Sequence, residues 1–431
     1  MRRFVFVCLL CCACGDSESN MPPAQVGAGT GAAGTVASAA GRAAGGAPTS
    51  GTAGAAGRGM SQGAGRVAPM AGRGGGAGSA GQADAGEDAG APKDPPTTTP
   101  PDPAAMSGTP GTFKIFDQIP QFGMYATSDP KNYTPPAGVL LWKRGTEFAA
   151  KLSAAQKLQI GADLVGRITY HAQCDNYDRI GGVFAVVVAR DQMPKDNDPR
   201  IELARFITPF SDYKRGALAT YVFPNADLTS YARMLADPTK DVWVGIGGGS
   251  NPYDGDPCTN TNMPAEFKAI GFKYSLEFVS TKPLAAGAST TLIGIYNVQA
   301  MRVPVTAEID NPGEKLTGHV TVIVSGHGAE SGGDEYMNTQ DALSVNGQMV
   351  GSFNTKIDCA MYAKYSPDGN PGIFQNNNGG NPRNWCPGAP VLPHTFPATL
   401  NPGKNQISLA IDPARVPMGS YYATSISFSA P

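Results

Sequence analysis

The chain has 431 residues, of which 16% are charged, and its formal net charge is −2. Nucleic-acid binding usually uses a strongly basic face, so this charge balance gives no support for that function. Beyond the N-terminal segment, no stretch is apolar enough to cross a membrane, which takes about 20 residues. Composition and charge therefore favour neither a nucleic-acid-binding protein nor a second membrane-crossing segment.

The N-terminus predicts a lipoprotein signal peptide over residues 1–14. Two arginines precede a short apolar run, and Ala13 places a small residue directly before Cys14, which resembles a bacterial lipobox. Cys14 is the expected lipid acceptor, and its lipid would be the only membrane attachment. This places the protein outside the cytoplasm, as an outer-membrane or cell-surface lipoprotein of a bacterium. The alternative is an ordinary cleaved signal with incidental cysteines.

Residues 15–110 predict a disordered linker. They are mostly Gly, Ala, Ser and Pro, and aromatic residues are absent between Asp16 and Ala105. Such a segment buries too little apolar surface to offset its conformational entropy. We expect it to hold the rest of the chain away from the membrane.

From residue 111 the pattern changes to short runs rich in Val, Ile, Thr, Tyr and Phe, separated by turn residues. Helical periodicity is weak and limited to residues 153–164 and 227–236. The pattern predicts an all-β fold of two β-sandwiches or jelly rolls, an N-terminal domain over 111–283 and a C-terminal domain over 284–431. The predicted strands are 112–117, 166–171, 182–190, 218–223, 241–246, 268–280, 291–297, 304–309, 318–325, 342–345, 406–411 and 421–428.

Four cysteines lie beyond the signal: Cys174, Cys258, Cys359 and Cys386. An even set in an exported protein predicts two disulfides. The sequence spacing alone leaves the pairing open.

Three segments are dense in chemically useful residues: 174–179 (CDNYDR), 325–336 with an acidic pair near its end, and 383–388 (RNWCPG). Carboxylates, guanidinium groups and aromatic rings together suit a sugar site. Two carboxylates from different loops also suit acid–base chemistry if their surroundings separate their pKa values. The alternative for each segment alone is a capped turn or a buried polar cluster.

Metal, nucleotide and serine-hydrolase sites have little support. The four histidines, His171, His319, His327 and His394, are scattered, and the chain lacks CxxC, HExxH, Walker and GxSxG motifs. We predict neither a metal nor a cofactor.

Taken together, the motifs resemble the bacterial peptide-N-glycosidase F family. They occur in family order: CDNYDR at 174–179, RFITPF at 205–210 followed by RG, VSGHG at 324–328, EY at 335–336 and WCPG at 385–388. The resemblance covers roughly 111–431. It implies two adjacent antiparallel eight-stranded jelly rolls with an active site in the cleft between them.

The resemblance also implies residue roles. Asp178 corresponds to the principal catalytic aspartate and Glu335 to a second-domain glutamate. The matching disulfides are Cys359–Cys386 and, since the usual upstream partner is absent, Cys174–Cys258. The implied substrate-binding residues are Tyr177, Arg179, His327, Arg383 and Trp385. Two features depart from the family pattern: residues 242–249 (VWVGIGGG) lack an expected glutamate, and the cysteines that flank the second-domain glutamate are missing.

The leading functional hypothesis is a monomeric amidohydrolase that acts on N-glycosylated proteins or glycopeptides, with Arg179 favouring an ionised Asp178. One alternative is a non-catalytic glycan-binding lipoprotein of the same fold, which the missing glutamate favours. A remote alternative is a copper type II monooxygenase-like oxidoreductase that shares the double jelly roll. That enzyme needs histidine-rich copper sites, which four scattered histidines fit poorly.

Overall fold

The computed structural model describes residues 108–123, 133–250, 270–300, 303–328, 335, 337–369, 371–374, 383–412 and 421–431. The expected signal peptide, the lipid acceptor Cys14, the linker up to residue 107 and Cys258 lie outside the described residues. All described residues belong to one compact unit. Among them, no helix is both long and apolar enough to span a membrane.

Strands dominate the described residues. In chain order they are β1 Thr112–Phe122, β2 Val139–Trp142, β3 Glu147–Lys151, β4 Val165–Ala172, β5 Ile180–Ala189, β6 Ile201–Ile207, β7 Thr220–Val222, β8 Ala226–Asp227, β9 Lys240–Gly248, β10 Ile270–Val279, β11 Thr290–Ala300, β12 Val305–Asn311, β13 Leu316–His327, β14 Gln340–Val345, β15 Gln348–Asn354, β16 Pro390–Val391, β17 His394–Leu400, β18 Gly403–Asp412 and β19 Tyr421–Ala430.

The helices are short. They are α1 Ala154–Lys157 and α2 Ala232–Ala236, and the 3-10 turns cover Lys143–Gly145, Tyr213–Ala219, Thr229–Tyr231, Ala360–Tyr365 and Pro371–Phe374.

The first sandwich packs two antiparallel sheets against each other. One has the order β1-β10-β4-β7, with β8 also beside β4, and the other has the order β16-β6-β5-β9-β3-β2. Alternate residues of β4, such as Ile168 and Tyr170, point into the core. In contrast, β6 is buried along its whole length. Its outer face is covered because the second sandwich packs there.

The second sandwich has eight strands among the described residues, in sheets of order β11-β19-β13-β17 and β12-β18-β14-β15. Strand β12 (VTAEIDN) alternates strictly between buried and exposed positions, as expected for a strand with one solvated face. Val305, Ala307 and Ile309 fill the core between the sheets. The all-β fold predicted from the sequence is confirmed.

The two sandwiches meet along the outer face of the sheet that contains β5 and β6. A buried cluster there joins Ile207 to Ile323, Trp385 and Val391. Strand β16 comes from the later part of the chain, yet it pairs with Phe206 and Arg205 of β6. A division of the chain near residue 283 therefore does not separate the two sets of strands completely.

Several observed strands were not predicted. Among them, β3 (EFAAK) and β6 (IELARFI) are buried at nearly every position and show no apolar–polar alternation. The predicted strand 218–223 shortens to Thr220–Val222, because Tyr213–Ala219 forms a 3-10 turn that starts at the N-cap Asp212. The weak helical periodicity of 153–164 yields only α1, which begins with a Ser153–Gln156 capping box.

Candidate active site

The Asp178 loop connects β4 to β5 and is fixed by one buried hydroxyl. The Oγ1 atom of Thr208 accepts a hydrogen bond from the Arg179 amide at 2.7 Å and donates to the carbonyl oxygen of Tyr177 at 2.8 Å. The Thr208 amide in turn donates to the carbonyl oxygen of Arg179 at 2.9 Å. These bonds hold both neighbours of Asp178 against the end of β6.

Asp175 orders the same loop from inside, a role that the sequence analysis did not assign. It is fully buried, and its Oδ2 accepts a hydrogen bond from Nε of Arg179 at 2.9 Å. Its Oδ1 accepts from the Tyr177 amide at 3.0 Å, and the Arg179 guanidinium lies over the Tyr177 ring at 5.1 Å. The available sequence signal was local: an aspartate whose side chain reaches the amide two residues later and an arginine four residues later.

Asp178 is only partly exposed, and its pKa is raised well above its usual value. Burial is the largest cause, and the negative charge of Glu335 adds to it, whereas Arg383 and Arg179 lower the pKa. Arg179 acts in the expected direction, but loss of solvation and a second carboxylate outweigh it.

Glu335 is held by a buried guanidinium. Nη2 of Arg383 donates to Oε1 of Glu335 at 2.8 Å, and Nε of Arg383 donates to the Glu335 carbonyl oxygen at 3.1 Å. The Cζ atom of Arg383 lies 4.3 Å from the centre of the Trp385 ring, and Nε1 of Trp385 donates to the carbonyl oxygen of Gly326 at 2.7 Å. Glu335 thus sits on a rigid stack at the end of β13.

His327 continues this stack. Its ring lies between Trp385, with a centroid distance of 5.2 Å, and Tyr421, at 5.1 Å. Its Nε2 is 2.8 Å from Oγ of Ser325. Burial, with added repulsion from Arg205 and Arg383, lowers the pKa of His327 to about 3, so the ring is neutral.

Exposure separates the candidate substrate-binding residues into two groups. Tyr177 is 48% exposed, and the side chains of Arg179 and Glu335 are 21% and 16% exposed. Arg383, Trp385 and His327, by contrast, are all buried. Of these three, only Arg383 is bonded to Glu335; Trp385 lies against Arg383, and His327 stacks on Trp385.

Strand β9 carries the departure from the family pattern. Its end, Gly247 and Gly248, pairs with the start of β5, just after the Asp178 loop. On its other side Gly247 lies opposite Glu147, a buried carboxylate that pairs with Lys143 at 2.7 Å and Arg200 at 2.9 Å. Glu147, the acid nearest to this position in the sheet register, is thus already paired with two cations.

A disulfide joins Cys359 to Cys386, the residue after Trp385. Cys174, at the start of the Asp178 loop, is also disulfide-bonded, and its expected partner Cys258 lies outside the described residues. Within the described part of the chain, no three His, Cys, Asp or Glu side chains come together as metal ligands.

The comparison with known families gives the identity of the C-terminal part. Residues 295–428 match the family model described as Peptide-N-glycosidase F, C terminal. Over these residues the chain is similar to the peptide-N-glycosidase F family. The match includes β13, Glu335, Arg383 and Trp385, so the family predicted from the motifs is confirmed.

The comparison with solved structures extends over more of the chain, and PNGF-II shows the same fold. The structure of PNGF-II is 19% identical, with a TM-score of 0.55, over 74% of this chain and 65% of that protein. The chain thus spans slightly less than two thirds of PNGF-II. PNGase F, a glycosylasparaginase from Flavobacterium meningosepticum, is 16% identical with a TM-score of 0.46, over 74% of this chain and 94% of that one. No curated protein matches the chain.

Proposed function

We propose that the chain is an amidohydrolase for N-glycans, which cleaves the amide between asparagine and the innermost N-acetylglucosamine. The observation that supports this most directly is the coupling of two carboxylates from different sandwiches. Asp178 lies near enough to Glu335 for the Glu335 charge to raise the pKa of Asp178, whereas Arg383 and Arg179 lower it. In many hydrolases, one of two paired carboxyl groups acts as the general acid and the other as the general base.

In the proposed reaction Asp178 enters protonated, as its raised pKa favours, and donates its proton to the departing amide nitrogen. Water attacks the carbonyl carbon of the asparagine side chain and gives a proton to Glu335, which Arg383 holds in place. A carbon–oxygen bond forms and the carbon–nitrogen bond breaks. The products are aspartate and a glycosylamine, and proton exchange with solvent restores both carboxyl groups.

Substrate binding is assigned to the exposed part of the site. Tyr177 offers an aromatic face for the apolar face of a sugar ring, and Arg179 offers donors for its hydroxyl groups. Since Thr208 fixes the backbone on both sides of Asp178, this sugar platform and the acid move together.

The test is incubation of an N-glycopeptide with the purified protein in water enriched in heavy oxygen, followed by mass spectrometry. We expect asparagine to become aspartate with one heavy oxygen incorporated. Asp178→Asn should abolish the conversion, and Glu308→Gln, an exposed acid of the second sandwich, should leave it unchanged. A wild-type protein that leaves the glycopeptide intact contradicts the proposal.

The second candidate is glycan binding without hydrolysis, and one observation favours it. Strand β9 presents glycines, not an acid, beside the start of β5. Under this alternative the protein would be retained on immobilised N-glycan and would release none of it. Retention together with conversion of asparagine supports the amidase instead.

We also propose that a lipid on Cys14 anchors the protein outside the cytoplasm. A diacylated, N-acylated cysteine holds a protein on a membrane firmly, whereas a single chain binds only marginally. Cys14→Ala should move the protein from the membrane fraction to the soluble one. Unchanged fractionation would exclude the anchor.

A further inference from the structure

Arg205, in the RFITPF segment, is a buried cation at the junction of the two sandwiches. It is 1% exposed and lies near the end of β6. Glu202, on the same strand, accepts from its Nε at 2.9 Å and from its Nη2 at 2.7 Å. This bidentate pair neutralises the charge and fixes the direction of the guanidinium.

The guanidinium crosses into the second sandwich. Its Nη1 donates to Oγ of Ser325 at 3.1 Å and to the carbonyl oxygen of Ala423. Its Nη2 reaches Oγ of Ser425 at 3.4 Å, and the Ser425 hydroxyl donates to Glu202. One side chain of β6 is thus bonded to both β13 and β19.

These bonds connect Arg205 to Glu335, the second carboxylate of the site. The Ser325 hydroxyl that accepts from Arg205 is also bonded to His327. His327 stacks on Trp385. The guanidinium of Arg383, which holds Glu335, lies over the Trp385 ring. The side chains in this series are buried up to Arg383, and the series ends at Glu335, a catalytic candidate.

Strand β6 is also connected to Asp178, the first carboxylate of the site. Thr208, three residues beyond Arg205, holds the backbone of Tyr177 and Arg179 on either side of Asp178. We propose that Arg205 is a positioning residue, which keeps the Asp178 loop and the Glu335 stack at a fixed separation. This inference rests on the proposed amidase function and assigns Arg205 no contact with substrate.

The alternative is that Arg205 and Glu202 only fill the interface. Replacing a buried ion pair by apolar residues is often neutral or stabilising. The double variant Glu202→Leu/Arg205→Met therefore tests the positioning role of Arg205 without leaving an unpaired charge. The matched control is Glu308→Leu/Lys404→Met, which removes an exposed ion pair of the second sandwich.

The experiment measures three quantities for each protein: the thermal midpoint, kcat and KM on an N-glycopeptide, and amide hydrogen exchange. We expect the interface variant to keep its midpoint and KM while kcat falls about tenfold to a hundredfold, because small misplacements of reacting groups have large rate effects. We also expect faster exchange at the amides of Arg179 and Gly326, which bond to Thr208 and Asn384, and no change at Ala185 in the core. The control should match wild type throughout.

Wild-type kcat and exchange in a folded double variant would overturn the inference. If wild type itself converts no glycopeptide, the proposed function fails, and hydrogen exchange alone then decides whether Arg205 positions the two loops. If the double variant does not fold, Ser325→Ala cuts the same connection at one hydroxyl. That variant should lower kcat without changing KM, and an unchanged kcat would again reject the positioning role.

Discussion

The guanidinium of Arg383 donates to both the side chain and the backbone of Glu335, at 2.8 and 3.1 Å. Arg383 is itself completely buried, so Glu335 has a fixed anchor even though it is partly exposed. From this position its charge raises the pKa of Asp178. A change at Glu335 should therefore be visible in the titration of Asp178.

Asp178→Asn should remove chemistry without lowering stability. A positioned acid–base group contributes about 10²–10⁴ in rate, so turnover of an N-glycopeptide should fall at least a hundredfold. Since the pKa of Asp178 is raised in the folded protein, the charged form is the unfavourable one, and the amide should not lower the thermal midpoint near neutral pH. Both quantities should be measured on one sample. Wild-type turnover by this variant would refute the catalytic assignment.

Glu335→Gln should shift the pH profile of kcat. If protonated Asp178 is the acid, kcat falls as pH rises through its pKa. Removal of the Glu335 charge removes one cause of the raised pKa, so this fall should move to lower pH. The loss of rate at the optimum should be smaller than for Asp178→Asn. Glu308→Gln, in the same assay, should leave the profile in place, and an unshifted Glu335→Gln profile would contradict the coupling.

Asp341 should make the protein less stable as pH rises. It is fully buried on β14, and burial raises its pKa to about 7, against a lowering effect of Thr339. A carboxyl with a raised folded pKa keeps its proton longer than in the unfolded chain, so stability is lost between about pH 4 and pH 7. The loss should be on the order of 4 kcal/mol.

Denaturant titrations at several pH values check this expectation. Asp341→Asn should flatten the dependence over that window and raise the free energy of unfolding at high pH. Asp310→Asn, an exposed position on β12, is the control and should keep the wild-type slope. An Asp341→Asn protein with the wild-type slope would show that another group is responsible.

Loss of the Cys359–Cys386 disulfide should cost stability and activity together. The bond closes a loop with a sequence separation of 27, for which chain entropy gives about 3–4 kcal/mol. Cys386 adjoins Trp385 in the stack behind Glu335, so turnover should fall as well. The double variant Cys359→Ser/Cys386→Ser should show both effects in denaturant titration and glycopeptide turnover. Full turnover at reduced stability would show that the disulfide stabilises the fold but is not needed for the activity of the site.

The fold class and the main site segments could be predicted from local sequence. Runs such as 241–246 and 406–411 lie inside observed strands β9 and β18, because β-branched residues and turn punctuation act locally. Strand β6 was not predicted because Glu202 and Arg205 interrupt its apolar run, although all of its residues are buried. The outer face of β6 is buried by the second sandwich, and no local sequence pattern reveals that contact.

The same distinction applies to the candidate site. Asp178 and Glu335 could be named from motifs, although whether the two carboxylates approach each other depends on the packing of the sandwiches. The adjacent Arg179, which lowers the pKa of Asp178, is visible in the sequence, whereas burial and the Glu335 charge, which raise that pKa, depend on the fold. Thr208 and Arg205 lay inside a recognised motif, but their partners are distant in the chain.

The pairing of Pro390–Val391 with β6 has a consequence for fragments of this protein. A polypeptide that stops near residue 283 would leave part of the outer edge of β6 without the partner it has in the full chain. Unprotected strand edges recruit strands from other copies. Such a fragment should self-associate, so chimeras with relatives should keep Pro390–Val391 together with β6.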